Sequence, residues 1–256
     1  MAARLRFGLG NSVGFLTLVF FTLASSRLNA QDPPPDLVRR VAQQEALNSE
    51  ERSHYAYRQE VQLEDFPGRG EAGSYHETRD VIFSPEGERT EREVGEPHSH
   101  LARLVMTPED FEDIRNIQPL LLTPELLPRY EVRFRGEESV DGHDCWVLQV
   151  RPRQILQGMR LFDGMLWAEK TGLNIVRSEG QAVPSVYSHA DGKDSENLFP
   201  RFVTTRSQID GLWLPTLTFA DDTLPFRTGP LRVKMTIRYK DYKRFKAEST
   251  ITFEQK

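Results

Sequence analysis

The stretch SVDGHDCWVLQVRP, residues 139–152, holds the only cysteine of the chain, with His143 and Asp144 beside it. A thiol, an imidazole and a carboxylate are the parts of a nucleophilic site, and His with Cys also make two metal ligands. The spacing argues against the first. Asp141-Gly142 is a tight-turn pair followed by an apolar-rich run, so residues 143–151 read as the returning leg of a β-hairpin. Side chains alternate along a strand, which sends His143 and Cys145 to one face and Asp144 to the other. At ~3.3 Å per residue the two same-side groups stand about 6.6 Å apart, beyond the ~2.6–3.2 Å reach of a base to its nucleophile. A metal would need further ligands from distant segments. The hairpin is the reading adopted.

His98-Ser99-His100 follows Pro97 in a polar turn, with no cysteine or spaced carboxylate nearby to complete a metal set. Glu50-Glu51, Glu137-Glu138 and Asp221-Asp222 are adjacent acids, read as solvated charge. HExxH, P-loop and CxxC patterns do not occur. The expectation is a protein that is not an enzyme, with no catalytic residue, no metal and no cofactor.

The elements that carry these residues are mostly strands. QDPPP is a stiff linker ending at Asp36, an N-cap for a helix over 36–50 in which Leu37, Val38, Val41, Ala42 and Ala46 recur at helical spacing. From His54 the period becomes two, with Tyr55, Tyr57, Gln59, Val61 and Leu63 on one side. Further strands are expected at 74–83 and 88–95, highly charged, with the outward face solvated. Thr107-Pro108 with Asp110, and then Thr123-Pro124-Glu125, are helix starts, and they predict two short helices forming a flap at about 107–127. Phe111, Ile114, Leu120 and Leu121 would be its apolar contacts. From Tyr130 onward strands follow at 143–151, 161–169, 173–183, 200–209, 212–220, 230–242 and 246–254. PSVYSHADGKDSENL and DDTLPFRTGP read as long loops. In LRVKMTIRYK the alternation is complete, as in an antiparallel sheet with one wet face.

About ten successive strands exceed what an open twisted sheet carries without curling. The fold class expected is mainly β (α+β): a curved antiparallel sheet or unclosed barrel plugged by the short helices. That shape often leaves an apolar cavity, for which Phe134, Trp146, Leu148, Met165, Trp167, Phe219, Met235 and Ile237 are the candidate lining residues.

The first 30 residues place Arg4 and Arg6 ahead of an apolar run from Phe15 to Ala24, with small residues after it. This is the order of a secretory signal peptide, read as cleaved after Ala30 to leave residues 31–256 as an exported chain of a length that suits one sizeable domain or two small ones. Those 30 residues carry three arginines and no acid, which leaves 30 basic against 38 acidic residues, a formal net charge of −8. Such a balance disfavours nucleic acid as a partner. One cysteine in an exported chain excludes an internal disulfide, and no N-terminal cysteine is placed for a lipid anchor.

The strings ENLFPRFVTTRSQIDGLWLPTLTFADDTL, VDGHDCWVLQVRP and GMLWAEKTGLNIVRSEG resemble an uncharacterised family of exported bacterial proteins, itself similar to outer-membrane lipoprotein-sorting proteins of the LolA/LolB/RseB-like superfamily. The resemblance implies an unclosed β-barrel lidded by helices, with a cavity for lipoprotein acyl chains or other lipids. It implies a non-catalytic periplasmic carrier in envelope biogenesis, with an inner- or outer-membrane protein as partner. The alternative it implies is an RseB-like sensor or scaffold that regulates a membrane protein.

Overall fold

Alternating burial organises several of the long strands of the computed structural model, which describes residues 32–84, 88–116, 122–155, 159–190 and 193–245, with backbone alone over 186–197. Helix α1 spans Leu37–Arg52, and then β1 Tyr55–Phe66, β2 Gly73–Phe83, β3 Arg89–Glu93 and the short β4 His98–Ser99 follow. Helix α2 is Pro108–Asn116, and a single 3-10 turn at Leu127–Arg129 leads into β5 Tyr130–Val140. The remaining strands are β6 His143–Pro152, β7 Leu161–Glu169, β8 Ile175–Val183, β9 Val186–Ala190, β10 Lys193–Asn197, β11 Phe202–Ile209, β12 Leu212–Leu224 and β13 Leu231–Arg244.

Ten strands join in the order β3-β2-β1-β13-β12-β11-β8-β7-β6-β5, every neighbouring pair antiparallel, with β4 added beside β2. The two ends do not pair, so the sheet is an unclosed barrel. The stretch expected as one long loop at 184–198 holds β9 and β10, which pair with each other in a hairpin. The strand expected at 246–254 lies outside the described residues.

The register identifies the two faces. Leu148 pairs with Leu166, Thr218 with Ile237, Ala220 with Met235 and Ile237 with Val61, so these residues share the inner face. One large core covers this face, with Phe162, Leu166, Phe202, Met235 and Ile237 at 0–1% exposure. At about 1.5–3 kcal/mol for each large side chain removed from water, this layer is the main favourable contribution to folding. Gly164 and Gly180 lie opposite each other across β7 and β8 because the Phe162 ring occupies the space where a Cβ would stand. A smaller cluster of Val140, Cys145, Val147, Trp167, Val176 and Trp213 forms on the outer face.

Helix α1 begins at the expected place by a different contact. Asp36 makes no side-chain cap and accepts instead from Arg39 at 2.9 Å. The face that α1 buries is Leu37, Val41, Ala42, Glu45 and Asn48, so a carboxylate takes the place that the apolar pattern gave to Ala46. Helix α2 starts as its sequence indicates: Thr107 N donates to Asp110 Oδ2 at 2.7 Å while Asp110 N donates to Thr107 Oγ1 at 3.4 Å, a reciprocal cap. The second expected helix is reduced to a turn, in which Leu126 N and Leu127 N donate to Thr123 O, followed by the 3-10 turn. Among the described residues no helix is long and apolar enough to cross a membrane.

Candidate functional site

The DGHDC segment is the start of β6, following a turn in which Asp141 and Gly142 both take positive φ. Cys145 is fully buried on the outer face, and its thiol donates to the His143 carbonyl at 3.3 Å. Burial, with acidic neighbours adding to it, pushes the thiol up to about 11, which keeps it protonated at neutral pH. The His143 ring stands edge-on to Trp213 with centroids 5.1 Å apart. His98 and Ser99 lie in β4, paired with β2. Among the described residues no group of three His, Cys, Asp or Glu side chains could hold a metal ion.

The proposed apolar lining divides between the two faces. Trp146, Leu148, Met235 and Ile237 are inner-face core, all at most 3% exposed. Phe134, 37% exposed on the edge strand β5, meets Trp146 edge-on at 5.8 Å. Met165 and Trp167 sit on the outer face, where Trp167 donates to Glu138 at 2.8 Å and lies under Arg177. Phe219 is also on the outer face, paired in register with Thr236 and 44% exposed. These three therefore cannot line a cavity with the other five. The physical reason is parity: β7 and β12 carry large apolar groups at both odd and even positions, and pairing register alone decides which set turns inward.

Of the flap residues, Ile114 is buried in the core and Phe111 packs partly buried against it. The Phe111 ring lies 6.4 Å from Tyr75 and 5.6 Å from the Arg79 guanidinium. Leu120 and Leu121 lie outside the described residues.

What periodicity did not reveal is a set of buried charges that fastens the helices to the sheet. Arg206 on β11 reaches Glu45 on α1 at 2.8 Å, and Asn174 accepts from Asn48 at 2.9 Å. On α2, fully buried Asp113 is paired with Arg160, whose Nε donates at 3.1 Å. Burial raises the Asp113 carboxyl to about 6, even though Arg160 opposes the shift. The inner faces of β2 and β3, expected to carry their charge outward, hold Glu77, Arg79, Arg89 and Glu91. Glu91 accepts from Arg79 at 2.6 Å and lies 2.8 Å from Arg89 and 3.3 Å from Arg115. Burial acts to raise its pKa, but the three guanidiniums together hold it below the ordinary value. The clue lay in the alternation: Gln59, Glu77 and Arg79 occupy the inward parity of their strands.

Where the C-terminal ends of α1 and α2 approach β1, β3 and β13, a cavity of about 260 Å³ is lined by Arg52, Arg89, Arg115, Ser53, Tyr57 and Tyr242, among others. A second cavity, of about 360 Å³, lies between Arg129, Arg153, Met159 and Leu161.

No family model and no curated protein matches the chain. Among solved structures it is similar to a DUF1329 family protein from Desulfovibrio piger, at 15% identity over 86% of this chain and 96% of that one, with a TM-score of 0.41. It is also similar to an outer membrane lipoprotein-sorting protein domain from Vibrio parahaemolyticus, at 12% identity over 81% and 93%, TM-score 0.39. A LolA superfamily protein from Nitrosomonas europaea is similar at 14% identity over 78% and 93%, TM-score 0.33.

Proposed function

We propose that this protein is a non-catalytic carrier of the cell envelope, exported by its first 30 residues and soluble in the periplasm as a single domain. It takes lipoprotein acyl chains or other lipids between α2 and the inner face of the sheet. One observation carries the reading: a broad apolar face on an unclosed sheet is covered in part by a nine-residue helix held to it by charged contacts. A helix this short is marginal in water by itself, so its order depends on the sheet and local opening is inexpensive. Opening offers Phe111, Ile114 and the inner-face core to an acyl chain, and each CH₂ withdrawn from water contributes about 0.8 kcal/mol. Trp146, Leu148, Met235 and Ile237 are then the floor of the site, with Phe134 at its edge.

The cavities of about 260 and 360 Å³ lie at the small end of ligand sites, so the chain must displace side chains or α2 to enter. That packing favours a second reading, a sensor in which movement of α2 signals to a membrane protein. Native mass spectrometry of protein purified from its own envelope, with hydrogen exchange over residues 107–116, separates the two. The carrier reading expects a reproducible bound lipid, whose addition slows exchange of α2. Exchange that is identical with and without lipid, together with no copurifying lipid, overturns it.

A further inference from the structure

Three guanidiniums from three separate elements converge on the 260 Å³ cavity: Arg52 from the last turn of α1, Arg115 from the last turn of α2 and Arg89 from β3. A basic residue in a final helical turn is commonly explained by the partial negative charge of the carbonyl end. That accounts for Arg52 and Arg115 singly, but neither for Arg89 nor for the convergence. Arg89 donates to the Arg115 carbonyl at 3.2 Å, and its Nε is buried with no hydrogen-bond partner among the described residues. Buried donors without acceptors are rare enough to require an explanation, and a bound anion is one.

The local acids answer Arg89 and Arg115 but not Arg52. Glu91 serves Arg79, Arg89 and Arg115 together from behind the cavity wall, and Glu112 pairs with Arg115 at 2.6 Å. No carboxylate pairs with Arg52 among the described residues, although its residue is only partly exposed. Opposite the guanidiniums the wall is aromatic. The Tyr57 and Tyr242 rings lie 5.1 Å apart, and Tyr57 belongs to the inner-face core, so the cavity is cationic at its rim and apolar toward the interior.

We propose that this cavity is a binding site for a phosphate monoester, gripped by Arg52, Arg89 and Arg115, with the organic part of the ligand directed past Tyr57 toward the core. Planar guanidinium forks match phosphate oxygens in pairs, and a dianion is the charge that several of them together favour. The group can belong to a lipid headgroup or to a small soluble phosphate ester; only the lipid source rests on the carrier reading above.

Calorimetric titration of the full chain with glycerol 3-phosphate, dihexanoyl phosphatidate and dihexanoyl phosphatidylcholine tests the site and its source. Arg52→Gln is the informative variant, since it breaks no ion pair among the described residues; Arg115→Gln is the second, with its unfolding midpoint measured alongside. Phosphatidate is expected to bind more tightly than phosphatidylcholine and to weaken with salt. Arg52→Gln should lower its affinity about tenfold, or ~1.4 kcal/mol, with the fold intact. Glycerol 3-phosphate that binds in an Arg52-dependent way, while neither lipid binds, supports the site and overturns the carrier. Both lipids binding equally, with Arg52→Gln and Arg115→Gln without effect, leaves the carrier standing and overturns the site. No binding of any phosphate monoester overturns the site as well.

Discussion

Glu45 and Arg206, 161 residues apart in sequence, meet at 2.8 Å with side chains only 1% and 3% exposed. The pair lies between α1 and β11, on the face where a helix packed by apolar contact alone would carry an aliphatic side chain. Two charges withdrawn from water are costly, and their attraction roughly offsets that cost while both are present. Losing Glu45 takes a counter-ion away from a buried guanidinium. Glu45→Ala is expected to lower the unfolding free energy by about 3–5 kcal/mol, whereas Glu45→Leu with Arg206→Met is expected to cost much less or nothing. Urea titrations of the three proteins check this, and a double variant as unstable as the single one would mean that the pair adds net stability.

The second helix is fastened differently, and its anchor titrates. Burial holds the Asp113 carboxyl at about 6 against the ordinary 3.8, so between those values the folded chain binds a proton that the unfolded chain does not. Folding is thus favoured by this group as pH falls from 7 to 4, by on the order of 3 kcal/mol, and the gain is lost again as pH rises through 6. Carboxylates such as Glu91, held low by arginines, act in the opposite direction, losing their contribution on acidification. Comparison with Asp113→Asn isolates the single group. Wild type should gain stability relative to the variant on going from pH 7 to pH 4; parallel profiles would show that Asp113 is not buried as described.

These two anchors mark the boundary of what sequence can disclose. The strand at 161–169 and the alternation from Leu231 to Lys240 were legible because a period of two survives in the residue types, and Thr107 with Asp110 announced α2 because a cap is a local device. Which parity faced inward was not legible on β7, where Met165 and Trp167 are as apolar as Leu166, nor on β12, whose pairing with β11 shifts register between Thr205 and Arg206. The ion pairs were invisible for the same reason. Glu45 and Asp113 look like solvated helix charges until β11 and Arg160 are brought against them. The arginine-lined cavity needs α1, α2, β1, β3 and β13 in place before its residues become neighbours.

Cys145 illustrates a chemically suggestive residue with a packing role. Its thiol, pushed up to about 11, carries negligible thiolate at pH 8, and it is fully buried beside Val147 and Trp213. A disulfide reagent is therefore expected to leave the native protein unmodified and to label one thiol only in denaturant. Cys145→Ser should fold and keep any ligand binding, since a hydroxyl can donate to the His143 carbonyl in place of the thiol. Rapid labelling of the native state would instead indicate that the outer-face cluster opens.

The turn region below α2 depends on one carboxylate. Asp65, fully buried at the end of β1, accepts from three successive backbone amides: Ala102 N at 2.9 Å, Arg103 N at 2.6 Å and Leu104 N at 2.8 Å. Gly73, its partner in register on β2, leaves the space for this approach. A Cβ there would stand 2.2 Å from Ala102 N and 2.3 Å from the Asp65 carboxylate. The cradle holds the segment from which the chain enters α2, so it sets where that helix lies. Asp65→Asn keeps the shape but supplies one acceptor and turns an NH₂ toward amide donors. With charge-assisted bonds at about 1.5–3 kcal/mol each, a loss of about 3 kcal/mol or more is expected. Gly73→Ala should cost about 1–3 kcal/mol by forcing the 101–104 segment away. Because both changes break the same contact, the double variant should lose less than the sum of the two. Additive losses would show that the glycine is required for some other reason, and an unchanged midpoint in Asp65→Asn would remove the carboxylate from any part in positioning α2.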